Sequence, residues 1–121
     1  MKTVFLSFLA LLSLAVGTVY AQSPAEAAKI QHLIASVETL EGAQFLRNGR
    51  AYDAKAAGDH LRLKLRTAGD RVKTADDFIR LCGSRSSLSG EKYRIRFADG
   101  TTVDSEVFFR NRLKTLPAGK P

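Results

Sequence analysis

Apolar residues recur at helical spacing through Ile30, Leu33, Ile34, Val37 and Leu40, so the segment from Pro24 to about Gly42 is predicted to be a helix packing through one stripe. Ser23 offers an N-cap, Pro24 suits the first helical position, and Glu26 stands where a capping box places its carboxylate. Phe45-Leu46-Arg47 has extended character, and Asn48-Gly49 tolerates positive φ, which puts a short hairpin or an irregular crossing before Tyr52. Asp53 can cap a second helix running to about Ala68, with Gly69 as its stop. Thr74, with Asp77 three residues on, opens a third and shorter helix that carries Phe78, Ile79 and Cys82 and ends at Gly83.

Ser84 to Gly90 then reads as a serine-rich loop, and from Glu91 to Phe97 the period changes to two. Tyr93, Ile95 and Phe97 alternate there with Lys92, Arg94 and Arg96, the pattern of a strand with one wet face. Asp99-Gly100 makes a turn, and Thr101 to Val103 returns as a second short strand. A last helix begins near Asp104 or Ser105 and sets Phe109, Leu113 and Leu116 on one side. The expectation is an α+β single domain of about four helices with one small two-stranded antiparallel hairpin.

The first residues follow a different rule. Lys2 precedes an apolar run from Val4 to Val16 broken only by Ser7 and Ser13, and Val19-Tyr20-Ala21 satisfies the small-residue cleavage pattern. Residues 1–21 are therefore expected to be a signal peptide cleaved after Ala21, leaving residues 22–121 as one exported, periplasmic domain. The apolar run is shorter than the roughly 20 residues that span a bilayer, so no transmembrane anchor is expected in the mature protein.

Charge narrows the partners. The chain has 19 Lys and Arg against 12 Asp and Glu, net +7, and loss of Lys2 with the leader lowers that to +6. Such a field favours an anionic envelope component, such as phospholipid headgroups or phosphorylated glycans, or an acidic protein; the export signal disfavours nucleic acid. Simple solubility is the bland reading of the same charge. Cys82 is the single cysteine, so no internal disulfide can form, and beside Gly83 at a helix C-terminus it reads as a small buried hydrophobe.

Phe45-Leu46-Arg47-Asn48-Gly49, Tyr52, His60-Leu61-Arg62-Leu63-Lys64, Thr74-Ala75 with Phe78-Ile79, and Ser86-Ser87 and Ser89-Gly90 with Tyr93 together resemble the YfeK-like family of small bacterial periplasmic proteins. That family is a domain of unknown function. The resemblance covers nearly all of residues 22–121 and implies a Gram-negative periplasm but no activity. Cys82-Gly83 departs from the small residue and Ser expected there, which speaks against a functional thiol.

The second helix carries the most informative chemistry. Lys55, Asp59, Arg62 and Arg66 form a polar stripe, Leu61, Leu63, Leu65, Ala56, Ala57 and Ala68 spread over the remaining arc, and His60 and Lys64 fall in the middle of that apolar arc. A buried ammonium needs a partner, and an imidazole beside it has a lowered pKa. Either Lys64 snorkels to the edge or pairs with a carboxylate such as Glu38 or Glu41, or His60, Lys64 and Arg47 line a pocket for an anionic group. Whether a carboxylate reaches Lys64 separates the two.

Arg47, Asn48 and Tyr52 can present a guanidinium, an amide and a phenol from one turn, or serve as turn chemistry and packing. Lys92, Arg94 and Arg96, near Arg85, Arg110 and Arg112, make the best basic patch or a plain solvated face. The ligand-binding candidates are thus Arg47, Asn48, Tyr52, His60, Lys64, Lys92, Arg94 and Arg96. No catalytic motif, cofactor fingerprint or zinc spacing is present: the only histidines are His32 and His60, and no Gly-x-Ser-x-Gly elbow occurs. The leading expectation is a noncatalytic binding or interaction module, with an inhibitor or immunity role in the same class. The alternative is a small hydrolase joining His60 to a serine of the 84–90 loop and to Asp53 or Asp59.

Overall fold

A computed structural model describes residues 22–116; the signal-peptide expectation for residues 1–21 lies outside the described residues. Helix α1 spans Pro24–Glu38, α2 Ala54–Ala68, α3 Ala75–Phe78 and α4 Ser105–Thr115, with strands β1 Gln44–Arg47, β2 Arg50–Tyr52, β3 Arg94–Arg96 and β4 Thr102–Asp104. Gly69–Arg71 forms a 3-10 turn after α2, and α3 widens into a π turn over Ile79–Gly83.

Local side chains start the first three helices. The Ser23 hydroxyl accepts from the Glu26 N–H at 3.1 Å, and the Asp53 carboxylate accepts from the Ala56 N–H at 2.8 Å. Thr74 and Asp77 form the reciprocal capping box at α3. Glu26 does not close the box at α1. Its carboxylate accepts from the Ala75 N–H at 2.7 Å and from Lys29 at 3.0 Å, joining the start of α1 to the start of α3 and holding the Glu26 carboxyl below its usual pKa.

The expected two-stranded hairpin is corrected by a four-stranded antiparallel sheet of order β2-β1-β3-β4. Asn48 and Gly49 both have positive φ, 50° and 78°, so Asn48-Gly49 closes a genuine β1–β2 hairpin. The free edge of β1 then takes β3, with Phe45 opposite Ile95, and β3 takes β4, with Ile95 opposite Val103. The driving force is a shared apolar face: Phe45, Ile95 and Tyr93 are buried, and Val103 and Tyr52 are half-buried. Single-domain α+β architecture stands.

The core lies between that face and the helices. Ile30, Leu33, Ile34 and Val37 of α1 are fully buried against Phe78, Ile79 and Phe109. At about 1.5–3 kcal/mol for each large side chain removed from water, this stripe supplies most of the reason α1 folds. The helix ends at Glu38, short of Gly42, with Thr39 as its cap. Two glycines permit close approaches. A Cβ on Gly83 would stand 2.8 Å from the Phe109 ring, and one on Gly58 would overlap the Glu38 side chain. Cys82 is buried, which raises its thiol pKa.

Candidate functional site

The sheet and α2 enclose a pocket of about 150 Å³. Buried Val37, Phe45, Ile95 and Phe109 form its floor, and half-buried Arg47, Tyr52, Ala56 and His60 its outer part. The wall is chiefly apolar, so the polar groups that do face it carry its selectivity.

His60 and Lys64, one turn apart on α2, both reach Tyr93, which the strand alternation turns inward beside Ile95. The Lys64 ammonium donates to the Tyr93 hydroxyl and to the Arg85 carbonyl, each at 3.0 Å, and sits 5.0 Å from the Tyr93 ring centre. His60 Nε2 lies 3.2 Å from the same hydroxyl. Burial first, then the Arg47 and Lys64 charges, lowers the His60 pKa from 6.5 to about 4. The ring is therefore neutral at pH 7, the phenol oxygen accepts from Lys64, and in the Nδ1–H tautomer Nε2 accepts the Tyr93 O–H.

No carboxylate lies within ion-pair distance of Lys64 among the described residues. Of the two structural options the snorkelling one holds, because Glu38 is taken by Arg62. The Arg62 guanidinium grips both Glu38 oxygens, at 2.5 and 2.8 Å, and keeps the Glu38 carboxyl below its usual range. The α2 polar stripe continues through Asp59, 3.3 Å from Lys55 and 3.8 Å from Arg62. Leu63, expected under cover, is 52% exposed.

Arg47 shares Lys64's condition. It donates to the Tyr52 hydroxyl at 3.2 Å and stacks over that ring at 4.9 Å, with no carboxylate in ion-pair reach among the described residues. Arg94 also lines the pocket but is paired with Asp104 at 3.4 Å, a carboxylate it shares with Lys92, also at 3.4 Å. Arg96 donates to Gln44 at 2.8 Å. Of the wider patch, Arg110 is tied to Asp76 and Glu106, and Arg112 stacks over Phe108. The basic strand face is thus partly neutralised.

Arg47, Tyr52 and His60 are brought together at one pocket, with Lys64 joined to them through Tyr93. Lys92 and Arg96 stand on the exposed side of β3, away from it. Asn48 is turned to the serine loop: its amide donates to Ser86 at 3.1 Å and accepts from Ser89 at 2.6 Å. The predicted hydrolase contacts are not formed, since Ser84 donates to the Ile79 carbonyl at 2.6 Å, Ser86 and Ser89 bond to Asn48, and His60 meets Tyr93. No group of three or more metal-ligating side chains occurs among the described residues, and no helix there is long and apolar enough to cross a membrane.

Tyr93 is the site residue that sequence reasoning missed. The signal was present: a phenol on the inward phase of a strand needs a polar partner, as do His60 and Lys64 on an apolar helix arc.

Comparison with known proteins agrees with the resemblance seen in the sequence. Over 68 residues the chain is 37% identical to the uncharacterized protein YfeK of Salmonella typhimurium, covering 56% of this chain and 57% of that one. The chain thus spans little more than half the length of this relative. No solved structure matches it. A model of a family of unknown function, DUF5329, matches residues 24–117, so the chain, whose fold and pocket lie almost wholly within that span, belongs to the DUF5329 family.

Proposed function

We propose that this protein is a noncatalytic periplasmic module that binds an anionic envelope component or the acidic group of a protein partner through the Arg47, Tyr52, His60 and Lys64 region. The observation that carries the reading is that two half-buried cations, Arg47 on the lining of an apolar pocket and Lys64 joined to that lining through Tyr93, have only neutral oxygens for partners. Neutral acceptors satisfy their N–H groups while leaving the positive field uncancelled, and the low local dielectric strengthens it for an incoming anion. Burial is the first cause of the lowered His60 pKa, and the Arg47 and Lys64 charges add to it. A net charge of +7 over the whole chain, +6 once Lys2 is lost with the leader, adds longer-range attraction.

Thermal unfolding of the purified protein with peptidoglycan fragments, anionic lipid vesicles or periplasmic extract tests the proposal. A stabilising fraction is expected to lose its effect on Arg47→Gln while Lys92→Gln/Arg96→Gln, which leaves the pocket lining intact, retains most of it. Loss of the effect only in Lys92→Gln/Arg96→Gln would move the site to the exposed basic face around β3. No shift with any anionic fraction would overturn the reading.

A further inference from the structure

The pocket's size and its single available cation say what kind of anion it suits. A cavity of about 150 Å³ lined by apolar side chains holds one benzene-sized group, the behaviour known for engineered apolar cavities of that volume. Phospholipid acyl chains and glycans exceed it. Phe45, Ile95 and Phe109 offer such a group two aromatic rings and a branched aliphatic side chain. They leave a buried headgroup nothing to hydrogen-bond, so the charged end of the ligand must point outward to Arg47.

Arg47 is one guanidinium with a planar fork, and only one of its N–H groups is engaged, by the Tyr52 hydroxyl. Arg94, the other cation on the lining, already has Asp104. One free fork matches one planar carboxylate in two parallel hydrogen bonds, whereas a phosphate dianion would retain uncompensated charge at an apolar wall.

We propose that the pocket binds a small apolar monocarboxylate, a ring-sized hydrocarbon group seated on Phe45, Ile95 and Phe109 with its carboxylate held by Arg47 and the Tyr52 hydroxyl. This rests on the anion-binding reading above and narrows it to one ligand class. Tyr93 acts here as a positioning residue: Lys64 fixes the phenol, and the phenol fixes His60 at the pocket wall.

Three probes of graded chemistry test it on the protein produced from the full chain, followed by amide chemical shifts: benzoate, its neutral analogue benzyl alcohol, and acetate. Benzoate is expected to saturate shifts at Ala57 and Ile95 and to bind at least about tenfold more tightly than either comparison probe, since each lacks one of the two recognised parts. Arg47→Gln should bring benzoate down to the level of benzyl alcohol. Ala56→Leu, which fills the outer part of the pocket, should remove both; if that variant does not fold, the three probes on the wild type still decide.

Equal binding of benzoate and acetate would overturn the apolar seat and leave a bare anion site, so the broader reading survives. Equal binding of benzoate and benzyl alcohol, unchanged in Arg47→Gln, would overturn the carboxylate clamp. Absence of benzoate shifts while an anionic envelope fraction still stabilises the protein through Arg47 would overturn the ligand class alone.

Discussion

Lys64 donates a hydrogen bond of 3.0 Å to the phenol oxygen of Tyr93, and this contact joins the middle of α2 to the strand region beside β3 without any carboxylate. Because that phenol also meets His60, the ammonium acts on the imidazole in two ways, by its charge and by orienting the acceptor's partner. Lys64→Met is expected to raise the His60 pKa from about 4 toward 6.5 without reaching it, since burial and Arg47 remain. Tyr93→Phe should cost about 1–2 kcal/mol, leaving both His60 and Lys64 short of a partner. Ring-proton titration of His60 by NMR and chemical denaturation check the two effects. An unchanged His60 pKa in Lys64→Met would show that the ammonium does not act at the ring.

The same ring makes stability depend on pH with a defined sign. A base whose folded pKa is depressed holds fewer protons than in the unfolded chain, so the unfolded state gains protons first as pH falls. The contribution of neutral His60 is complete above its ordinary 6.5 and is lost between there and about 4. The loss should be on the order of 2 kcal/mol once solvent screening of the half-buried site is allowed for. Glu26, Glu38, Asp77 and Asp99 all have lowered pKa values and start from about 4, so their losses come lower on the scale. Denaturation of wild type and His60→Gln from pH 7.5 to 4.5 should therefore show a slope in the wild type that flattens in the variant.

What the sequence disclosed and what it concealed divide along locality. Ser23, Asp53 and Thr74 act on N–H groups three residues away, so the helix starts were legible from short spacings. The Asn48-Gly49 turn was legible for the same reason. The pairing of β1 with β3 joins residues about 50 positions apart, and β1 and β2, of four and three residues, are too short to establish a period of the kind seen around β3. Hence only one hairpin was expected. Glu38, one of two carboxylates offered as a partner for Lys64 if it did not snorkel, serves Arg62, because Gly58 lets the Glu38 side chain lie across α2 toward the polar stripe rather than the pocket. His60 and Lys64 were singled out as polar groups on an apolar arc, yet their partner lay 33 and 29 residues on, at Tyr93.

Gly58 carries a prediction whose sign reverses with its neighbour. In the wild type an added Cβ collides with the Glu38 side chain, so Gly58→Ala must displace the carboxylate from Arg62 or push α1 from α2. The expected net cost is about 1–3 kcal/mol despite alanine's better helix propensity. With Glu38→Ala already present the obstacle is gone, and Gly58→Ala should then stabilise by up to about 1 kcal/mol. A double-mutant cycle by urea denaturation reads this coupling directly. Additive effects would show that the two helices are held apart by something other than Glu38.

Asn48 was a candidate for ligand recognition, and its contacts assign it instead to fastening two loops. Its φ of 50° lies in the left-handed region, its amide donates to Ser86, and its carbonyl oxygen accepts from Ser89. Ser86 in turn accepts from the Leu88 and Ser89 N–H groups at 3.1 and 3.2 Å, so the order of the serine loop rests partly on this residue. Asn48→Gly keeps the backbone conformation and removes only the side-chain bonds, with an expected cost of about 1 kcal/mol. Asn48→Ala loses the bonds and also strains φ, adding roughly 1–2 kcal/mol more. Both variants should speed amide exchange at Leu88 and Ser89, and neither should weaken benzoate binding, because Asn48 does not line the pocket. Weakened binding with unchanged exchange would return Asn48 to the recognition surface.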